Sequence, residues 1–282
     1  MLDSLNVSIL ELDIDYNFPM PNICEHEYIP ELIKDLEEAY SSLSITHDVI
    51  HFNLHPTAIE LEAIESLHID PIDQNEYYSE GHQNTVKQYD FQQFHLENLY
   101  SNTKTFFESL SPLNAKSSDI MANFISKIAS SLMSATNSES VTYILRAYKP
   151  SNELYIPRWH IDPSISENSP TVISLKGSST IFYNASIEEK ETFSYIVNKT
   201  MDADDINTQI DLYNQLDLFN SQSAPKISGS TFLCGNNTYG AIHTHPAVQE
   251  DRIFLALISG KKSKIEDFKR LSEEETLYRH TY

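Results

Sequence analysis

Glycine is scarce in this chain and unevenly placed. Of six, only Gly81 lies in the first half, while Gly177, Gly229, Gly235, Gly240 and Gly260 crowd into residues 177–260. Lacking a Cβ, glycine takes up the positive φ of tight turns and sharp strand junctions at little steric cost. The second half is therefore where short strands are expected, and the first half reads as mainly helical. In "YIPELIKDLEEAYSSL", Ile29, Leu32, Ile33, Leu36, Tyr40 and Leu43 recur at helical spacing, and Pro30 suits a first turn. "SSDIMANFISKIASSLMSA" carries one apolar stripe of Ile120, Met121, Phe124, Ile125, Ile128, Leu132 and Met133, with Ser117 or Ser118 as N-cap. A stripe that wide must lie against something, most simply the back of a sheet. Residues 74–110 read as helical but more polar.

From "ESVTYILRAYKP" the period changes to two, with Val141, Tyr143 and Leu145 alternating with Thr142, Ile144 and Arg146. "TVISLKGSSTIFYN" gives two strand-like pieces around Gly177, and "GSTFLCG", "TYGAIHTHP" and "RIFLALIS" continue the pattern. The acidic stretch 187–220 interrupts it and reads as a helical insertion. The expected organisation is one α+β domain: a mainly helical support region over 1–137, a β core over 138–262 and a C-terminal helix over 263–282. Helices followed by strands imply an antiparallel sheet that is closed or sandwiched.

Composition narrows the function. Hydrophobic residues make up 40% and charged residues 21%, the balance of a globular chain. Lys and Arg number 19 against 41 Asp and Glu, a net charge of −22 that repels nucleic acid and anionic membrane surfaces. A small-molecule or peptide substrate is the expected partner. Cys24 and Cys234 form no disulfide framework, the N-terminus lacks the features of a signal peptide, and no apolar run reaches membrane-spanning length. The expected location is cytoplasmic.

The stretch "YIPRWHIDPS" sets His160 and Asp162 two residues apart, so on a strand both side chains face one way. Taken alone, His-x-Asp is most often a surface or hydrogen-bonded pair. Here an ordered set follows it. In "AIHTHPAVQEDRIFLAL", His243 and His245 share a strand face, and Arg252 opens an apolar strand beside them. Two histidines and one carboxylate on one side of a metal, with the opposite positions open, is the donor set of non-haem Fe(II) oxygenases. An arginine at a strand start can fork onto a carboxylate. "HDVIHFNLHP" offers a competing set in His47, His51 and His55, but its composition favours a strand that Pro56 cuts short. His26 near Cys24 lacks partners. No glycine-rich phosphate loop or nucleophile elbow is present.

The order His-x-Asp, distal histidine, arginine resembles the Fe(II)/2-oxoglutarate-dependent oxygenase superfamily, over roughly residues 140–260. That resemblance implies a C-terminal double-stranded β-helix of the jelly-roll or cupin-like kind, carrying a helical N-terminal layer. It implies Fe(II) bound by His160, Asp162 and His243, which are also the catalytic centre, and 2-oxoglutarate as cosubstrate with its far carboxylate on Arg252. Thr180 would supply a hydroxyl to the same carboxylate. Lys176 is a rival anchor, because a demethylase-like branch uses a lysine at about that place. The nine-residue step from His243 to Arg252 fits the superfamily better than the seven from His245, which leaves His245 as the alternative distal ligand. Halogenating members lack the carboxylate, so Asp162 implies hydroxylation or a related oxidation. "PRWHID" is also similar to an uncharacterised bacterial family with Cys-Pro-Arg-aromatic-His-x-Asp, although Ile156 stands where that cysteine would be. Arg158 could meet an anionic substrate at the site's mouth or simply pair with a surface acid. The alternatives are a cupin-type metalloenzyme that does not use 2-oxoglutarate, and a non-catalytic binding module on the same fold.

Overall fold

The computed structural model describes residues 28–44, 47–70, 85–94, 96–150, 159–162, 168–193, 221–223, 225–235 and 240–267. Its elements run α1 (Pro30–Ser42), β1 (Val49–Asn53), α2 (Ala58–Ser66), β2 (Thr85–Phe94), α3 (Leu96–Leu110), a 3-10 turn (Pro112–Lys116) and α4 (Ser118–Ala135). The strands β3 (Ser140–Tyr148), β4 (Thr171–Lys176), β5 (Ile181–Tyr183), β6 (Ser221–Ser223), β7 (Ser228–Phe232), β8 (Ile242–Thr244) and β9 (Arg252–Gly260) complete the order. Short helical segments also cover 187–193 and 262–267. The rest of the expected insertion and of the expected C-terminal helix lies outside the described residues, as do Cys24, His26 and Arg158.

Two antiparallel sheets result. The larger has the order β1-β7-β4-β9-β3-β2 and the smaller β6-β5-β8. On one face of the larger sheet, Val141, Tyr143, Leu145 and Ala147 of β3 and Ile253, Leu255 and Leu257 of β9 join Leu36, Phe107, Phe124, Ile125 and Ile128 of the helices in one buried core. The stripe of α4 thus lies on the back of the sheet, as its width demanded. Ser117 precedes α4, but its hydroxyl is bonded to that of Ser66 at 2.7 Å and makes no cap. The other face of the larger sheet meets the smaller one: Phe182 of β5 packs 5.5 Å from Phe232 of β7, with Val49 and Val172 alongside.

The first half is mainly helical and also contributes two strands. Residues 85–94, within the stretch expected to be helical, form β2 against β3, and the helix begins only at Leu96. The open edge of β3 offers a row of backbone partners, and pairing with it outweighs the weak local preference of a polar segment. "HDVIHFNLHP" does form a strand, β1, whose histidines disperse. His51 bonds Ser230 at 2.8 Å and His55 bonds Asp35 at 2.8 Å. No helix among the described residues is long and apolar enough to cross a membrane.

One ionic contact ties the two halves together. Lys190, in the 187–193 helix, is 1% exposed and sits 2.6 Å from Asp48, just before β1. Removing one partner of a buried pair leaves the other charge stripped of both water and counter-ion. Asp48→Ala is expected to lower stability by about 3–5 kcal/mol, and Asp48→Leu with Lys190→Met to recover most of it. Urea unfolding of the two variants measures both effects.

Candidate metal centre

His160 and His243 face each other as an antiparallel pair. Each donates its backbone N–H to the other's carbonyl at 2.9 Å. A directly opposed, hydrogen-bonded pair puts both side chains on the same face. The ring centroids are 4.2 Å apart. On its other side His243 is registered against Phe182 of β5, and Phe182 against Gln222 of β6, so the row runs across the small sheet. Asp162, two residues beyond His160, returns to that face, and its carbonyl accepts from Gly235 N–H at 3.0 Å. Gly240 allows the close approach of this segment, since a Cβ there would lie 2.3 Å from the Ile161 side chain.

The donor atoms converge. His160 Nε2 lies 3.6 Å from Asp162 Oδ1, and His243 Nε2 lies 3.5 Å from Asp162 Oδ2. One ligand atom from each of the three residues falls within 4.8 Å of the others. Ligands about 2.1 Å from a shared metal stand about 3.0–3.4 Å from one another, so the three side chains would draw closer together around an ion. His243 Nδ1 is 3.1 Å from the Ala241 carbonyl, which can only accept, so with a metal on Nε2 the ring proton would sit on Nδ1. Phe232 packs its ring 4.7 Å from His243 and fixes the imidazole. The His160 and Asp162 side chains stay 41% and 37% exposed against 8% for His243, so the cluster opens to one side. Among the described residues this is the one group of three such donors. Two nitrogens and one oxygen with an open side suit a divalent iron or manganese.

Charge around the cluster is set by burial and by the neighbours. Burial works to raise the Asp162 carboxyl, but the His243 hydrogen bond and the nearby histidine charges outweigh it and hold the carboxyl below its ordinary value. Cys234 is pushed up, by burial first and then by the Asp162 charge, so it is a neutral thiol beside the site. Burial, then Arg252 and the other nearby cations, drive His245 well below the usual histidine value.

The other sequence-derived candidates fall as follows. His245 stands outside the cluster, its ring 6.4 Å from that of His160, and stacks edge-on to Phe254 at 6.0 Å. Arg252 heads β9 as expected, but in the larger sheet, across from β8 rather than beside it. It is 1% exposed, donates Nε–H to the Ser178 carbonyl at 2.8 Å, and lies over the rings of Tyr148 at 5.2 Å and Phe254 at 4.8 Å. Gly177, at φ +78°, turns the chain against β9 here, and a Cβ would sit 2.9 Å from the Arg252 Cα. Thr180 is buried just before β5. Lys176 points the other way, its ammonium donating to the carbonyls of Glu65 and Leu67 at the end of α2. Sequence reasoning did not find Cys234, Phe182 or Phe232, which reach the site only through strand pairing. Strand alternation was their one available signal.

No family model matches the chain, and no curated protein matches it. Among solved structures it is similar to a Pseudomonas putida prolyl-4-hydroxylase at 10% identity and a TM-score of 0.37, over 84% of this chain and 97% of that one. A prolyl hydroxylase from Trichoplax adhaerens, in complex with a peptide fragment of hypoxia inducible factor, matches at 12% identity and a TM-score of 0.42, over 87% and 97%. A rice dioxygenase for auxin oxidation matches at 10% identity and a TM-score of 0.40, over 86% and 91%. At these values the chemistry of the site has to be read from this chain's own residues.

Removing a donor should weaken the metal while leaving the fold. Asp162→Ala and His243→Ala are expected to reduce Mn(II) affinity by about 100-fold or more, and His245→Ala by less than about tenfold, in equilibrium dialysis. His245 also sets a pH dependence. Its folded value is depressed, so the unfolded chain takes up the proton first. Stability is then expected to fall as pH drops below about 6.5, by at most about 1.4 kcal/mol per pH unit from this group. Asp162, also depressed, contributes stability that is lost only at lower pH, below about 4. Thermal melts between pH 5 and 8 should show the first effect, and His245→Gln should flatten it.

Proposed function

We propose that this chain is an Fe(II)- and 2-oxoglutarate-dependent oxygenase that hydroxylates, or otherwise oxidises, a small molecule or a peptide or protein side chain. The reading rests on one observation above all: His160, Asp162 and His243 bring two nitrogens and one carboxylate within 4.8 Å of one another. The same reading takes the two facing sheets as a double-stranded β-helix with the helices behind it. Iron in this site, with 2-oxoglutarate and O2, supplies oxidation of a C–H bond coupled to conversion of 2-oxoglutarate into succinate and CO2.

The chain's own groups hold and orient. His160 and His243 would each offer a ring nitrogen to the metal, and the depressed Asp162 carboxyl remains an anion at neutral pH. Arg252 receives the far carboxylate of 2-oxoglutarate through its guanidinium, which is pinned by Ser178 and by two aromatic rings so that little side-chain freedom is lost on binding. Thr180 donates its hydroxyl to the same carboxylate. Arg252 is favoured over Lys176 because the lysine ammonium is already engaged at the end of α2. His245 stays neutral between the iron ligands and Arg252, so it adds no positive charge to repel the metal.

Succinate release from 2-oxoglutarate, measured with Fe(II) and ascorbate, tests the reading. Slow release without substrate is expected, abolished in His160→Ala. Arg252→Gln is expected to weaken 2-oxoglutarate binding about 10- to 150-fold while Mn(II) binding persists. Metal binding without any 2-oxoglutarate binding would instead make the chain a cupin-type metalloenzyme. Absence of metal binding would make it a binding module.

A further inference from the structure

Beyond Arg252, a second arginine faces the space between the sheets. On β3, Val141, Tyr143, Leu145 and Ala147 all belong to the core under the helices. Successive strand residues point to opposite faces, so Thr142, Ile144, Arg146 and Tyr148 point to the inner face. Register with β9 and β4 arranges that face in rows. Tyr148 opposes Arg252, and the next row runs Arg146, Phe254, Ser174. The row beyond runs Ile144, Ala256, Val172.

Two properties of these rows stand out. Arg146 Nε is buried and has no hydrogen-bond partner, and no carboxylate among the described residues pairs with its guanidinium, in a chain with more than twice as many acids as bases. The remainder of the side chain is half-buried. Ile144, Ala256 and Val172, all on one row beside it, are likewise only half-buried, although every residue is apolar. The cation also lies close to the candidate metal centre. Phe254, its cross-strand neighbour, is 6.0 Å from His245, whose ring is 6.4 Å from that of His160.

A partly desolvated guanidinium without a counter-ion is an unfavourable element of a fold unless something else supplies the anion. Building on the reading above, in which Arg252 takes 2-oxoglutarate, we propose that Arg146 is a separate anion site that binds the carboxylate of the substrate. The half-buried row of Ile144, Ala256 and Val172 receives an apolar body attached to that carboxylate. The substrate class is thus an organic acid, or a peptide segment presenting a carboxylate, with an apolar group next to the charge. Arg146 then positions this acid against the centre formed by His160, Asp162 and His243.

Benzoate and benzamide make a matched probe pair, with the same apolar ring and the charge removed in the second. Equilibrium dialysis against the full chain loaded with Mn(II) and 2-oxoglutarate should give a preference of about tenfold or more for benzoate. Arg146→Gln and Arg146→Met should both erase that preference, and Arg146→Lys should keep part of it. Using two neutral variants guards against one that does not fold, checked by thermal melts. Equal binding of the two probes by the unaltered chain overturns the proposal, as does a preference that survives in the neutral variants. A loss of 2-oxoglutarate affinity in Arg146→Gln as large as in Arg252→Gln also overturns it, because the arginine then belongs to the cosubstrate site. Failure of the unaltered chain to bind Mn(II) or 2-oxoglutarate is a separate result that sinks the oxygenase reading. The comparison of benzoate with benzamide on the same protein still decides whether Arg146 is an anion site.

Discussion

Two backbone hydrogen bonds carry the architecture of the site. The reciprocal N–H to carbonyl contacts of His160 and His243, both 2.9 Å, join segments more than eighty residues apart. They fix two imidazoles on one face without any help from the side chains themselves. A one-residue slip in this pairing would turn one imidazole to the opposite face. Asp162 depends on the same contact, since its place follows from being two residues beyond His160. The register is held from the other side as well, where Phe182 lies opposite His243 and packs on Phe232. Two ligands fixed by backbone pairing rather than by flexible loops are what a preorganised binding site requires.

The larger sheet has two buried faces of different character, and this difference separates stability from chemistry. The face under α4 is mainly apolar, with Leu145, Leu255 and Phe124 fully buried, and its polar residue Thr171 is bonded to the Tyr40 hydroxyl of α1. The inner face mixes Phe254 and Val172 with Arg146, Arg252, Ser174 and Ser230. Buried polar groups are costly unless they are satisfied, so they accumulate where a ligand can complete them. Arg252 shows one solution within the chain, held by Ser178 and two aromatic rings. Gly177 contributes by letting the backbone turn tightly enough to bring that carbonyl to it.

Much of this was legible in the sequence. Clustered glycines marked the strand-rich half, the α4 stripe marked the helix on the back of the sheet, and His160, Asp162 and His243, picked out by their spacing, come together in one cluster. His243 rather than His245 joins the cluster, and the nine-residue step to Arg252 pointed that way. What stayed hidden depends on long-range pairing. The sequence of β2 reads as helix because its partner edge lies some fifty residues further on, in β3. The position of Arg252 at a strand start suggests the neighbour of the distal histidine's strand, whereas β9 belongs to the opposite sheet. The direction in which Lys176 points is decided by an irregular register between β4 and β9 after Ser174, which turns it toward α2. No local pattern encodes such a shift.

The acidity of the chain and the arginines of its interior are not in conflict, because they act over different distances. Surface charges are screened within about 8 Å at physiological ionic strength, so a net charge of −22 does little to a small anion more than that distance from the surface. Once inside, the anion meets a guanidinium where the dielectric is low and screening by salt is weak. The surface then discriminates by size. An extended polyanion must cross the whole acidic exterior and is repelled along its length, whereas a single carboxylate meets that field only briefly. An interior that carries Arg146 and Arg252 behind an acidic exterior therefore favours small anions, as the proposed cosubstrate and substrate would require.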